Sequence, residues 1–198
     1  MSLEQSFAFF VFALVAAITP GPSNVLLTAA GGQLGVLRGL PCLFGVSAGM
    51  GTLIFCVAAG LGQLVVQSEA VLKLMNWGGA AFLLWLSWRI ATANVGGQQA
   101  ETRTVGFGSA ALFQWINPKS WLVSTSAAGA YFPAAPDNVA LLALLFAALF
   151  ILAQVPSGLV WLGFGAGMQR LLRTPRAARI FNIAMGASLA ASLLLILA

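Results

Sequence analysis

Residues 18–24, ITPGPSN, decide how this chain folds. They lie inside an apolar run, and two prolines around a glycine cannot continue a helix, because each proline lacks an amide donor and its ring collides with the carbonyl four residues back. Pro20 and Pro22 therefore strip Ala16 and Ile18 of their helical donors, while Gly21 between them tolerates unusual backbone angles. Polar backbone laid bare in an apolar segment is costly in lipid and tolerated only where it is buried in protein or lines a wet cavity.

The setting of this break is a membrane. The chain has 198 residues, 60% of them hydrophobic and 7% charged, with six tryptophans and no histidine, a balance no soluble domain needs. Windows of about 20 apolar residues cross a hydrocarbon core of roughly 30 Å. Six such windows occur, at 6–30, 40–66, 72–93, 105–132, 139–164 and 180–198. Spans in lipid must pair their own backbone groups, so these are helices. The short alternating segments of a β-barrel do not occur. The first window carries Glu4 and no leading Lys or Arg, and it runs too long for a signal peptide, so it reads as a retained helix.

The net charge of +5 would point to nucleic acid in a soluble protein; here its placement marks topology instead. Arg38 follows the first window, Arg89 and Arg103 flank the link after the third, and Arg170, Arg173, Arg176 and Arg179 fill the link after the fifth. Lys73 stands alone on the other side, with Glu4, Glu69 and Asp137. The positive-inside rule then puts both termini outside. The cluster RLLRTPRAAR could also meet anionic lipid headgroups. Cys42 and Cys56 are 14 residues apart in one predicted helix, ~21 Å along its axis, too far for a disulfide. With no histidine in the chain they form no metal site, and they read as small buried hydrophobes.

Sliding the sequence by 98 residues superposes Phe9 on Phe107, Ala13 on Ala111, Ile18 on Ile116, Pro20 on Pro118 and Gly31 on Gly129. The expectation is a single all-α membrane domain, 1–198, built of repeat halves at about 1–95 and 104–198 joined by a polar linker at about 96–103 that contains GGQQAE. Three spans per half turn the second half upside down, giving a 3+3 inverted repeat with broken helices 1 and 4, the plan of many secondary transporters. The site then lies at the midplane, where the breaks meet.

Polar side chains gather at these breaks: Thr19, Ser23 and Asn24 with Pro20, Gly21 and Pro22 in the first, and Gln114, Asn117, Pro118, Lys119 and Ser120 in QWINPKSW. Gln154 and Ser157 of AQVPSG join from the fifth window. The candidate substrate-binding residues are Thr19, Pro20, Gly21, Pro22, Ser23, Asn24, Gln114, Asn117, Pro118, Lys119 and Gln154. Lys119 is the charge placed deepest, where a cation costs ~2.5–3.5 kcal/mol on insertion scales, and it is the candidate proton carrier. A single proline kink often serves packing alone; two matched kinks with a lysine outweigh that reading. The glycines of GVSAGMG and GFGAG read as close helix contacts, and Trp77 and Trp161 as interfacial anchors. Trp115 and Trp121 flank the second break. A membrane-embedded enzyme would need a nucleophile with its base, a redox pair or a metal cluster. The windows supply none, and no cofactor is expected.

TPGPSN (19–24), NWGGAAFLLWLSWRIA (76–91) and QWINPKSWL (114–122), in that order and spacing, resemble the LysE/RhtB family of amino-acid exporters, with the third-window segment most similar to the cysteine/O-acetylserine branch. The resemblance implies a six-helix protein of the bacterial inner membrane that exports small amino acids, driven by the proton gradient. It carries functional roles onto Pro20, Gly21 and Pro22 and onto Asn117, Pro118 and Lys119. Many members have an acidic residue where this chain has Ser23, so a neutral amino acid is the expected cargo rather than lysine or arginine. Its carboxylate would dock at the helix starts after Pro20 and Pro118 beside Lys119, and its ammonium on freed carbonyls and the oxygens of Thr19, Ser23, Asn24 or Asn117. A passive pore, or export of another small metabolite, is the alternative. Small-residue faces would permit a homodimer.

Overall fold

The computed structural model describes residues 2–62, 69–92, 105–133, 138–171 and 174–191. The linker at about 96–103, Arg103, Arg173, Asp137 and the ends of the second and sixth windows lie outside these residues. Among the described residues there are helices and turns and no strand. Helix α1, Leu3–Ile18, opens with a capping box in which Ser2 and Gln5 satisfy each other's backbone amides, and it stops where Pro20 and Pro22 require it to. Thr19, the residue before the first proline, is extended (φ −61°, ψ 129°), as pre-proline sterics demand. Helix α2, Pro22–Cys56, restarts with proline at its first turn, where the missing amide is no loss. One π-helical turn at Val57–Leu61 continues it.

Helix α2 is not one rod. Gly35 interrupts it with φ 76° and ψ 178°, a conformation essentially reserved for glycine. The contacts on either side show the chain doubling back there. Leu27 and Leu43 both reach Gly158, and Gly31 and Gly39 both meet Leu162. In a straight helix Leu27 and Leu43 would stand about 24 Å apart, so α2 is a helical hairpin with its bend at Gly35. Helix α3 is Glu69–Ala91. Helix α4, Phe107–Ile116, and helix α5, Pro118–Tyr131, are separated by Asn117 alone (φ −82°, ψ 112°). Helix α6 is Val139–Leu171 and helix α7 is Pro175–Ala191.

The helices fall on the six apolar windows, and the expected breaks in the first and fourth are present. The segments Pro22–Leu61 and Val139–Met168 are long and apolar enough to cross a membrane, while α1 is a shorter apolar helix. Side chains on the outer faces are large and apolar, with Leu112, Trp88, Trp77 and Leu122 all about 70% exposed, an outside suited to lipid rather than water.

Two apolar clusters form the interior. One gathers Leu27, Leu43, Leu83, Phe113 and Leu162 around the α2 hairpin. The other gathers Phe9, Met50, Phe146 and Phe150, with the Phe9 and Phe146 rings 4.4 Å apart and Tyr131 edge-on to Phe9 at 5.6 Å. Close approach depends on missing side chains. A methyl group at Gly45 or Gly49 would overlap the main chain of Phe107 or Ala111, and one at Gly165 would overlap that of Thr28. Gly163 and Gly167, expected to serve similarly, face open space.

Candidate functional site

The proline breaks leave carbonyls without helical donors, and side chains from near and far in the chain donate to those around the first break. Ile18 O, deprived by Pro22, accepts from the Trp161 indole at 3.2 Å. Trp161, expected as an interfacial anchor, is therefore tied to the break. Asn24 Nδ2 donates to Ala17 O at 3.1 Å and to Thr19 O at 2.7 Å, folding the start of α2 onto the end of α1. Lys119 Nζ crosses from the second break to donate to Thr19 O at 2.5 Å and Pro20 O at 3.3 Å. These carbonyls form the negative end of α1, where a cation is favoured.

Side chains join the two breaks as well. Gln114 Oε1 accepts from Ser23 Oγ and Ser120 Oγ, both at 2.9 Å, and Gln114 Nε2 donates to Ala110 O at 3.2 Å. Asn117 Nδ2 donates to Ser23 Oγ at 3.1 Å, while its Oδ1 accepts from the Lys119 amide at 3.1 Å. Asn117 thus caps α5. Of the two helix starts expected to hold a carboxylate, that of α5 is already served by Asn117, whereas α2 starts at Gly21 without a side-chain cap. Trp121 donates to Trp115 O at 2.7 Å, which stiffens the second break from outside.

Within this framework lies a cavity of about 30 Å³, room for a water molecule and no more. Ser23, Asn24, Gln114, Asn117, Lys119 and Gln154 line it, with Gly21, and Met50 and Phe150 of the aromatic cluster close it on one side. Among the described residues Lys119 is the only charged one that lines it. Thr19 and Pro20 are exposed just beyond it, so the lysine stem runs along the boundary between cavity and surface. A Cβ on Gly21 would come within 2.7 Å of Lys119 Cδ, so the stem rests directly on that glycine. Gln154 is 4% exposed and its Nε2 has no hydrogen-bond partner. A buried donor left unpaired is costly, and Gln154 is among the residues that line the cavity. Among the described residues no cluster of cysteine and carboxylate side chains could hold a metal ion.

The profile of the family described as LysE type translocator matches residues 14–196. The chain belongs to that family. Membership makes this LysE-type chain a protein of the bacterial inner membrane, in agreement with its apolar helices and outer faces. It is 35% identical over 121 residues to the cysteine/O-acetylserine efflux protein of Salmonella choleraesuis (strain SC-B67), covering 61% of this chain and 62% of the relative. The cysteine/O-acetylserine efflux protein of Escherichia coli O1:K1 / APEC is 31% identical over the same extent. The matched stretch thus spans about 62% of the length of these curated relatives. No solved structure matches.

In this LysE-type chain the sequence-predicted residues converge. Seven of them border the cavity, Thr19 and Pro20 hold Lys119 through their carbonyls, and Pro22 and Pro118 start the two restarted helices. Helix geometry therefore pairs Pro118 with Pro22, whereas the 98-residue register pairs it with Pro20. Met50, Phe150 and the role of Trp161 escape a sequence reading: each is an apolar side chain in an apolar helix, and only the packing gives it a place beside the breaks.

Proposed function

We propose that the chain is a secondary transporter, not an enzyme, that exports small neutral amino acids of the cysteine and O-acetylserine kind. The observation that carries this reading is the meeting of the two helix breaks, joined by Lys119 and by the Ser23–Gln114–Asn117 hydrogen bonds around a small cavity. The efflux relatives support the cargo class. Ser23, where a carboxylate would favour cationic amino acids, supports a neutral one.

The reading includes six spans arranged as a 3+3 inverted repeat with both termini outside, working by alternating access. Helix packing supports it. Phe9 lies against Phe146, and Thr28 bonds Trp161 O at 3.4 Å, so the first broken helix runs parallel to α6. Gly45 lies against Phe107 and Gly49 against Ala111, so the returning leg of α2 runs parallel to α4. An inverted repeat exchanges the first span with the fourth and the second with the fifth, which turns one of these pairings into the other. Shifting Gly45 and Phe107 by 98 residues gives Ala143 and Phe9, and Ala143 lies one turn from the Phe146 that Phe9 touches. Proton antiport through Lys119 completes the proposal, Lys119 being, among the described residues, the one ionisable group at the cavity.

The test is counterflow in proteoliposomes with labelled O-acetylserine, cysteine and alanine, run with and without a pH gradient. A carrier accelerates uptake when unlabelled substrate is trapped inside, and a proton antiporter responds to the gradient. A passive pore does neither, and that result would refute the reading.

A further inference from the structure

We propose that the Lys119 ammonium occupies the subsite meant for a substrate's ammonium, and that a zwitterionic ligand releases it by an exchange of partners. The substrate ammonium takes the Thr19 and Pro20 carbonyls, and Lys119 turns to the substrate carboxylate. This deepens the transporter reading above and rests on it.

The cavity leaves an incoming ammonium little choice. Gln114 Oε1 already accepts from two hydroxyls, and Asn117 Oδ1 accepts from the Lys119 amide. Among the described residues no carboxylate lines the cavity. The acceptors that suit a cation are the carbonyls at the negative end of α1, and Lys119 holds them. Nor is there volume for a ligand while the lysine stays, since about 30 Å³ holds no amino acid. The stem lying on Gly21 fills the room that a small amino acid would need. On the opposite requirement, Gln154 lines the cavity, and its amide carries a donor, Nε2, that has no acceptor among the described residues. A carboxylate supplies one, and it neutralises Lys119 as well.

The same contact makes Lys119 a latch, because it ties the break between α4 and α5 to the break between α1 and α2. Only a ligand carrying both charges opens it at low cost. An amine alone displaces Lys119 and gives it no anion, and an acid alone draws Lys119 away and leaves the carbonyls bare. Specificity for zwitterions over amines or acids then follows from buried groups left unpaired.

The experiment places a reporter cysteine at Ala16, which lines the cavity, in a full-length chain lacking Cys42 and Cys56, and measures maleimide labelling in proteoliposomes. In the parent, alanine or O-acetylserine is expected to speed labelling by about tenfold, and ethanolamine or lactate to change it little. Lys119→Met is expected to label fast without ligand. In Lys119→Ala, n-butylammonium is expected to slow labelling again by refilling the subsite, which an unfolded chain could not show. Slow labelling of Lys119→Met, with amino-acid counterflow intact in the parent, would overturn the latch and leave the transporter reading standing. A fast Lys119→Met with a parent that no amino acid opens, and no counterflow, would overturn the exchange together with the proposed cargo. Absence of reclosure by n-butylammonium in a folded Lys119→Ala chain would overturn the subsite.

Discussion

Asn117 holds two structures with one amide: its oxygen caps α5 and its nitrogen reaches Ser23 across the breaks. Asn117→Ala loses the cap, worth about 1 kcal/mol, which lowers the unfolding midpoint by about 3 °C for a chain of this size. Transport should fall further than this stability loss explains, because Ser23 loses one of its two hydrogen bonds to the second break. Thermal unfolding in detergent micelles beside counterflow separates the two effects. Gly21 is the complementary case. Gly21→Ala puts a methyl group 2.7 Å from Lys119 Cδ, and the flexible stem can move aside, so the fold should survive. The Lys119 contacts to Thr19 and Pro20 should not. A drop in exchange of about tenfold at an unchanged unfolding midpoint is the expected result, and wild-type exchange would show that the stem has no fixed place.

At the scale of elements, the prolines made the breaks legible, because the chemistry of a proline acts on its own neighbours whatever the fold. The six apolar windows were legible for the same reason: lipid demands length and hydrophobicity, and both are properties of a segment. The hairpin in α2 was half legible. The gap between the first two windows covers 31–39, yet only the structure identifies Gly35 as the residue that turns. Trp161 was not legible, since its partner Ile18 is 143 residues away and indole donors have no sequence period. Gly35→Ala tests the turn directly. Its backbone lies in a region that costs a residue with a Cβ about 1–3 kcal/mol, and open space around it excludes a packing cause. The expected outcome is a lower unfolding midpoint of that size. By contrast, Gly163→Ala, in α6 and facing open space, should raise stability by up to about 1 kcal/mol, the helix-interior difference between glycine and alanine.

Across the whole molecule, charge and packing give the same orientation. Gly165 lies against Thr28 and Gly32, so the end of α6 and the bend at Gly35 share one end of the protein. That end carries Arg38 just past the bend, and Arg176 follows a short way beyond α6; both are exposed. The opposite end holds the aromatic cluster of Phe9, Tyr131, Phe132 and Phe146, close to Glu4 at the start of α1. Lys and Arg are retained on the cytoplasmic side of short loops, so the arginine end is expected inside and Glu4 outside. With Cys42 and Cys56 replaced, a cysteine at Glu4 should react with a membrane-impermeant thiol reagent in intact cells. One at Arg176 should react only in opened cells or inverted vesicles, and one at Arg38 should follow Arg176. Five of the six windows separate Glu4 from Arg176, and an odd number of crossings places them on opposite sides. Labelling of both from the same side would mean that one of those five does not cross, and the inverted repeat would fail with it.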